Sequence, residues 1–369
     1  MKQITEINNK FDLKKVVVIM AAICMMVTIL PMVDASDSDD LQTAIDNTAT
    51  GGVLALDRNY TITTPVTINK SMTIDGTESK YSITNSNGTN AINVTSSGVT
   101  IKNLSITTNG SAYSINGTGS DLTVMDCTIS STGRGINFYP SANSESTLTV
   151  TDTIIDNPTA EAEYGVNYGA DNRGISTGNV IGGHVTITSC NVTGYKYGIN
   201  TVVTDDKNRD SNGTVFDITD SRVHGWAALN ISCANTTFNI TNCTLTGVNK
   251  FSGGANEFSV ININEVTYNY SSASTKVNII GGQIYVYRYG ECKQSAVFVD
   301  KDGHTDYKFN RGTFGKVMIY GYGTDEYKAE VFSFAYNSTV NEFLYKIGTK
   351  YSLNAQLIQG SVPSASIVS

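Results

Sequence analysis

The 369-residue chain carries 25 basic against 33 acidic residues, a net charge of −8, and only 16% of its residues are charged. An acidic chain is a poor partner for nucleic acid or anionic lipid, which sets two classes of function aside. Thr, Ile and Val suit a pleated surface while Asn, Gly and Ser suit tight turns, so the composition predicts an all-β protein of one large domain or two ordinary ones.

Lys10, Lys14 and Lys15 precede the apolar run Val16–Leu30, which leads to Pro31 and then Val33-Asp34-Ala35. A basic flank, a short apolar core and small residues at the cut site read as a secretory signal peptide over 1–35, cleaved after Ala35. The run is shorter than the ~20 residues of a spanning helix, so no membrane insertion is expected after cleavage. The mature protein is expected to be secreted or held at the cell surface. Cleavage removes four lysines and three acids, which takes the net charge from −8 to −9.

The segment "SDDLQTAIDN" predicts a short helix, with Ser38 or Asp39 as cap and Leu41, Ala44 and Ile45 on one face. An eight-residue unit then recurs: "VTIKNLSI" (99–106), "LTVMDCTI" (122–129), "LTVTDTII" (148–155), "VTITSCNV" (185–192), "FDITDSRV" (216–223), "FNITNCTL" (238–245) and, more loosely, "VNIIGGQI" (277–284). Apolar residues at positions one, three and eight fit two short strands joined by a bend at positions four and five. Position five is Asn103, Asp126, Asp152, Ser189, Asp220 and Asn242, residues that tolerate left-handed backbone.

Each unit is followed by a second motif: "AINV" (91–94), "SING" (114–117), "GINF" (135–138), "GVNY" (165–168), "GINT" (198–201) and "ALNI" (228–231). The tightest units start 22 or 23 residues apart (216 to 238, 99 to 122), with longer intervals filled by inserted loops such as "GADNRGISTGNVIGG" and "VVTDDKNRDSN". Three short strands per period, with insertions at fixed places, predict a parallel β-helix whose coils each bury their inward side chains against neighbours. The second motif is then the third strand, with Ile136, Val166 and Ile199 inward. A structural ladder of Asn93, Asn116, Asn137, Asn167, Asn200 and Asn230 faces outward. The predicted domains are 1–35 (signal peptide), 36–250 (parallel β-helix) and 251–369 (Tyr-rich coils and cap).

The stretches "LQTAIDNTATGGVLALDRNYTI", "VTINKSMTIDG" and "GVTIKNLSI" resemble the opening of right-handed parallel β-helix proteins of the pectate-lyase-like superfamily. Among these they are most similar to the bacterial cell-surface branch described as pectate-lyase-like adhesive domains. The resemblance spans residues 37–250 and lies in rhythm and opening segment, not in a catalytic signature. Together with the general preference for right-handed parallel crossovers, it implies a right-handed coil. It also implies that enzymes of this fold would bind polysaccharide along the outer face of one strand stack. There, carboxylates hold calcium and an arginine or lysine removes a proton, or paired aspartates hydrolyse with a histidine nearby.

The chain places amides on that face, and amides neither abstract a proton at neutral pH nor supply the charge calcium needs. No catalytic residue is assigned. Asp126 and Asp152 share the bend position in successive coils and read as polar turn residues. Arg134 and Arg173 precede glycines at strand starts without an accompanying acidic cluster, and His184, His224 and His304 read as loop or surface residues. In "DKNRDSNGTVFD", Asp206, Asn208, Asp210 and Asp217 have the spacing of a calcium loop, with Ser211 where its glycine belongs. Calcium is thus the only cofactor the sequence leaves open. Cys127, Cys190 and Cys243 share position six and face inward, two coils apart, beyond disulfide reach; Cys233 and Cys292 are left open.

Toward the C-terminus tyrosines thicken. Tyr285, Tyr287 and Tyr289 alternate along one strand, and "VMIYGYGTDEY" adds Tyr320, Tyr322 and Tyr327. Such side chains suit sugar rings or a partner's surface, and equally the closing cap of a solenoid. Asn-X-Ser/Thr triplets, as at Asn93, Asn191 and Asn239, occur as often as composition dictates and accept glycans only where the host makes them. The sequence leans to an exported, non-catalytic adhesin-like protein that binds a polysaccharide or a host or cell-surface glycan through Tyr285, Tyr287, Tyr289, Tyr320 and Tyr322. A polysaccharide lyase or glycoside hydrolase on the same scaffold, or a structural coat protein, are the alternatives.

Overall fold

The computed structural model describes residues 36–77, 79–141, 145–157, 173–178, 180–194, 196–201, 213–231, 236–249, 260–263, 276–289, 297–299, 308–309, 313–322, 332–334 and 366–368. They form a right-handed parallel β-helix of three strands per coil, led by one helix, α1 (Ser36–Asn47). The three strands of each coil stack on their counterparts into three all-parallel sheets, and the apolar residues of the repeat fall on top of one another. Position three gives the column Ile74, Ile101, Val124, Val150, Ile187, Ile218, Ile240. Position eight gives Ile83, Ile106, Ile129, Ile155, Val192, Val223, Leu245. The third sheet contributes Val66, Ile92, Ile115, Ile136, Ile175, Ile199, Leu229, Ile261. Every one of these side chains is buried in a single core. β-Branched residues in register stack on their own kind, so a single coil has no core while the stack has a continuous one. Phe216 and Phe238 stack face to face inside it, their centroids 4.3 Å apart.

The bend between the first two strands is the same in each repeat. Asn103, Asp126, Asp152, Ser189, Asp220 and Asn242 all have positive φ, between 47° and 56°. That turn lets the N–H of the first five reach the position-four carbonyl of the next coil, as Asp126 does to Thr151 and Asp152 to Thr188. Asn and Asp suit it because their short polar side chains lower the cost of left-handed backbone.

Helix α1 closes the first coil by side-chain mimicry of a strand. Leu41 and Ile45, four residues apart, drop into the core. Gln42 accepts from the Thr67 N–H (2.7 Å) and donates to the Thr67 carbonyl (3.0 Å), completing the outermost rung of the third sheet. Ser38, expected as the helix cap, instead accepts from the N–H groups of Thr63 and Thr64, and Asp37 accepts from Thr61. Backbone N–H groups in the bend that follows the strand Tyr60–Ile62 would otherwise lack protein partners, and the hydroxyl meets that demand.

At the other end, the described strands continue the stack. Residues 276–289 form one long strand that pairs with both Thr237–Thr241 and Thr244–Asn249, and 313–322 pairs with it in turn. The third sheet runs on through Ile261–Ile263, Val297–Val299 and Phe332–Phe334.

Candidate functional site

The outer face of the third sheet carries the amide ladder. In the early coils Asn116 donates to Asn93 (3.4 Å) and Asn137 to Asn116 (2.8 Å), while Asn90 ties off the lower end by donating to Asn93 (3.0 Å). These rungs are half-buried. Later, Asn230 donates to Asn200 at 2.6 Å, and both residues are buried. The expectation that every rung faces solvent is therefore corrected: Asn200 and Asn230 lie on the outer side of their strands yet are closed to water.

The rung between Asn137 and Asn200 is also corrected. It is Ser176, in register with both, on the strand Arg173–Thr177; the core residue there is Ile175. Val166 and Asn167 lie outside the described residues. The stretch 169–183, expected as an inserted loop, contains the strand Arg173–Thr177. The sequence marks this register by a three-residue match, Arg134-Gly135-Ile136 against Arg173-Gly174-Ile175, in which Ile136 pairs with Ile175 and no asparagine takes part.

Arg134 and Arg173 stand on the same outer face, beside the ladder, in a column with Tyr113 and Tyr197. The Arg134 guanidinium lies 5.0 Å from the centre of the Tyr113 ring, and Arg173 Nη1 donates to the Ser176 hydroxyl at 3.3 Å. Stacking a guanidinium on an aromatic ring is itself attractive and helps to hold the charge in place. This column is invisible from spacing because the interval between the two arginines contains an insertion.

Elsewhere the candidates separate. Asp126 and Asp152 are exposed at their bends. His184, expected as an isolated surface residue, starts a strand and makes a 2.6 Å contact between its Nε2 and Asp217 Oδ2; Asn239 donates to Asp217 Oδ1 at 2.7 Å. Asp217, the last member of the proposed calcium loop, thus has both oxygens occupied, and Asp206, Asn208 and Asp210 lie outside the described residues. His224, expected in a loop or at the surface, sits in the strand Arg222–Gly225 with Nε2 shut from solvent. Burial pushes its pKa down to about 4, so the ring is neutral at pH 7. His304, Cys233 and Cys292 lie outside the described residues.

Cys127, Cys190 and Cys243 are buried free thiols, alternating along the stack with the buried hydroxyls of Thr153 and Ser221. Burial pushes their pKa values up to about 12, 11 and 11, which makes them unreactive packing residues. Among the described residues no three His, Cys, Asp or Glu side chains converge on a point where a metal could sit.

The C-terminal tyrosines fall into register across neighbouring rungs: Tyr287 pairs with Tyr320 and Tyr289 with Tyr322, while Tyr285 pairs with Met318. Tyr285 continues the column of Thr246, on the second sheet. Their strands belong to a different sheet from the amide ladder. No family model, no curated protein and no solved structure matches the chain, so its class, a parallel β-helix, is carried by geometry alone.

Proposed function

We propose that this is an exported, non-catalytic, adhesin-like protein of the cell surface or medium that binds a polysaccharide or a host or cell-surface glycan. The reading rests on the first coils' likeness to pectate-lyase-like adhesive domains. The observation that carries it is the register of Tyr287 with Tyr320 and of Tyr289 with Tyr322. Adjacent parallel strands lie about 4.8 Å apart, so this register sets tyrosine beside tyrosine at successive rungs, and tyrosine is a residue type on which sugar rings stack. The face on which relatives of this fold would do chemistry supports the same reading: its outward groups are amides bonded to one another, and Arg134 is stacked on Tyr113. Binding on these terms needs no cofactor, and calcium would serve only the insertion at 206–217.

The test is a glycan array probed with the purified protein, with turnover on polygalacturonate and related polymers measured in parallel, with and without calcium. Tyr287→Ala and Tyr320→Ala are each expected to weaken binding about tenfold, the equivalent of ~1.4 kcal/mol. Arg134→Ala is expected to leave binding intact. Release of unsaturated ends or of reducing sugar, abolished by Arg134→Ala, would establish the lyase or hydrolase instead. Self-association without glycan binding would establish a coat protein.

A further inference from the structure

The Asn-X-Ser/Thr triplets are too common for the sequence to rank, but the fold ranks them. In most of those among the described residues, the amide is already committed. Asn59 accepts from both the backbone and the hydroxyl of Ser82, Asn103 donates to Asp75, and Asn239 donates to Asp217. Asn93, Asn116 and Asn230 are rungs of the ladder. Asn69, Asn191 and Asn242 are exposed, but the Ser71 hydroxyl of the first triplet is spent on the Gly98 carbonyl at 2.9 Å, the second asparagine is in a strand paired on both sides, and the third is locked in the left-handed bend.

One corner differs. Between the second and third strands, successive coils carry Asn87-Gly88-Thr89 and Asn109-Gly110-Ser111, and all six residues are exposed. Both glycines have positive φ (69° and 79°), so each triplet is a tight turn that lifts its asparagine off the body of the helix. The two turns are not equivalent. Asn87 donates to the Thr63 carbonyl at 3.1 Å, and the Thr89 hydroxyl accepts from Asn85 at 3.1 Å. Among the described residues, the Asn109 side chain and the Ser111 hydroxyl have no hydrogen-bond partner, and both residues are exposed, so the reacting amide and the hydroxyl that a transferase reads are presented to solvent.

We propose that Asn109 is an N-glycan acceptor, which rests on the export part of the reading above. The co-substrate is a glycan on a polyprenyl phosphate or pyrophosphate lipid. Asn109 Nδ2 loses a proton and bonds to the anomeric carbon as the carbon–oxygen bond to the phosphate breaks, and the lipid phosphate leaves with the bonding pair. Asn87 lies one rung away, about 4.8 Å along the stack, so a bulky glycan on Asn109 also crowds its neighbour.

The test is site-localising glycopeptide mass spectrometry of the protein recovered from its own host's surface or medium. The expected result is a glycan on Asn109 in most molecules, little on Asn87 and none on Asn103 or Asn116. The glycan should be lost in both Asn109→Gln and Ser111→Ala, and neither position belongs to the core or the ladder. An exported protein whose Asn109 is bare or merely deamidated, or whose Asn116 is equally modified, overturns the proposal. If instead the protein stays inside the cell with residues 1–35 attached, the export reading fails, and the acceptor claim is decided on folded protein given an oligosaccharyltransferase and its lipid-linked glycan. There, modification of Asn109 at least tenfold faster than Asn116 upholds it, and equal rates overturn it.

Discussion

The two halves of the amide ladder are chemically the same and physically different. Asn93, Asn116 and Asn137 hand hydrogen bonds from coil to coil at the edge of solvent, where water would replace any bond that was lost. Asn200 and Asn230 make the same bond out of water's reach, and there a lost partner is not replaced. A repeated residue thus contributes little at one end of the solenoid and a good deal at the other. The difference lies in the surroundings, not in the repeat.

That contrast can be broken most sharply at Asn230. Asn230→Ala removes the donor to the buried Asn200 oxygen and is expected to cost about 3 kcal/mol, the lost bond plus the stranded acceptor, read by urea denaturation. Acid attacks the same late coils through His224. Its folded pKa of about 4 lies below the ~6.5 of an unfolded histidine, so the unfolded chain binds the extra proton. Stability from this group is complete above pH 6.5 and falls as pH drops from 6.5 to 4, by about 2–3 kcal/mol; His224→Gln should flatten that part of the pH–stability curve.

In the early coils, Asn116→Ala breaks two ladder bonds at a half-buried site and is expected to cost about 1 kcal/mol. A result equal to that of Asn230→Ala would mean that burial does not set the ladder's worth. Smallest of all should be Asn137→Ser, which writes at this rung the hydroxyl already found at Ser176; a change of less than about 0.5 kcal/mol in the same denaturation assay is expected. Chelation of calcium should shift the thermal midpoint by less than about 1 °C, since both oxygens of Asp217 are already engaged within the fold.

Much of the fold could be read from single residues. The six bend positions were legible because only a few side chains accept positive φ, and the chain uses Asn, Asp or Ser at every one. The inward thiols were legible from their parity within the unit. The strand 173–177 was not, because a decoy "GVNY" precedes it and a serine replaces the expected asparagine. His184 and Asp217 were missed for a related reason: they are 33 residues apart in the chain, and only the length of the insertion between them decides that they meet. The task of Ser38 is hidden in the sequence because the N–H it meets lies in a bend 25 residues away, just past the strand Tyr60–Ile62.

By itself the sequence determined the coil, since alternation and bend chemistry are local and each repeat states them again. Tertiary stacking alone decided which amides are wet, which carboxylate finds the histidine, and which of many identical triplets stands clear of the surface. Those outcomes depend on what lies one rung above and below, a distance of about 4.8 Å in space that the chain spans only by a full turn of the helix.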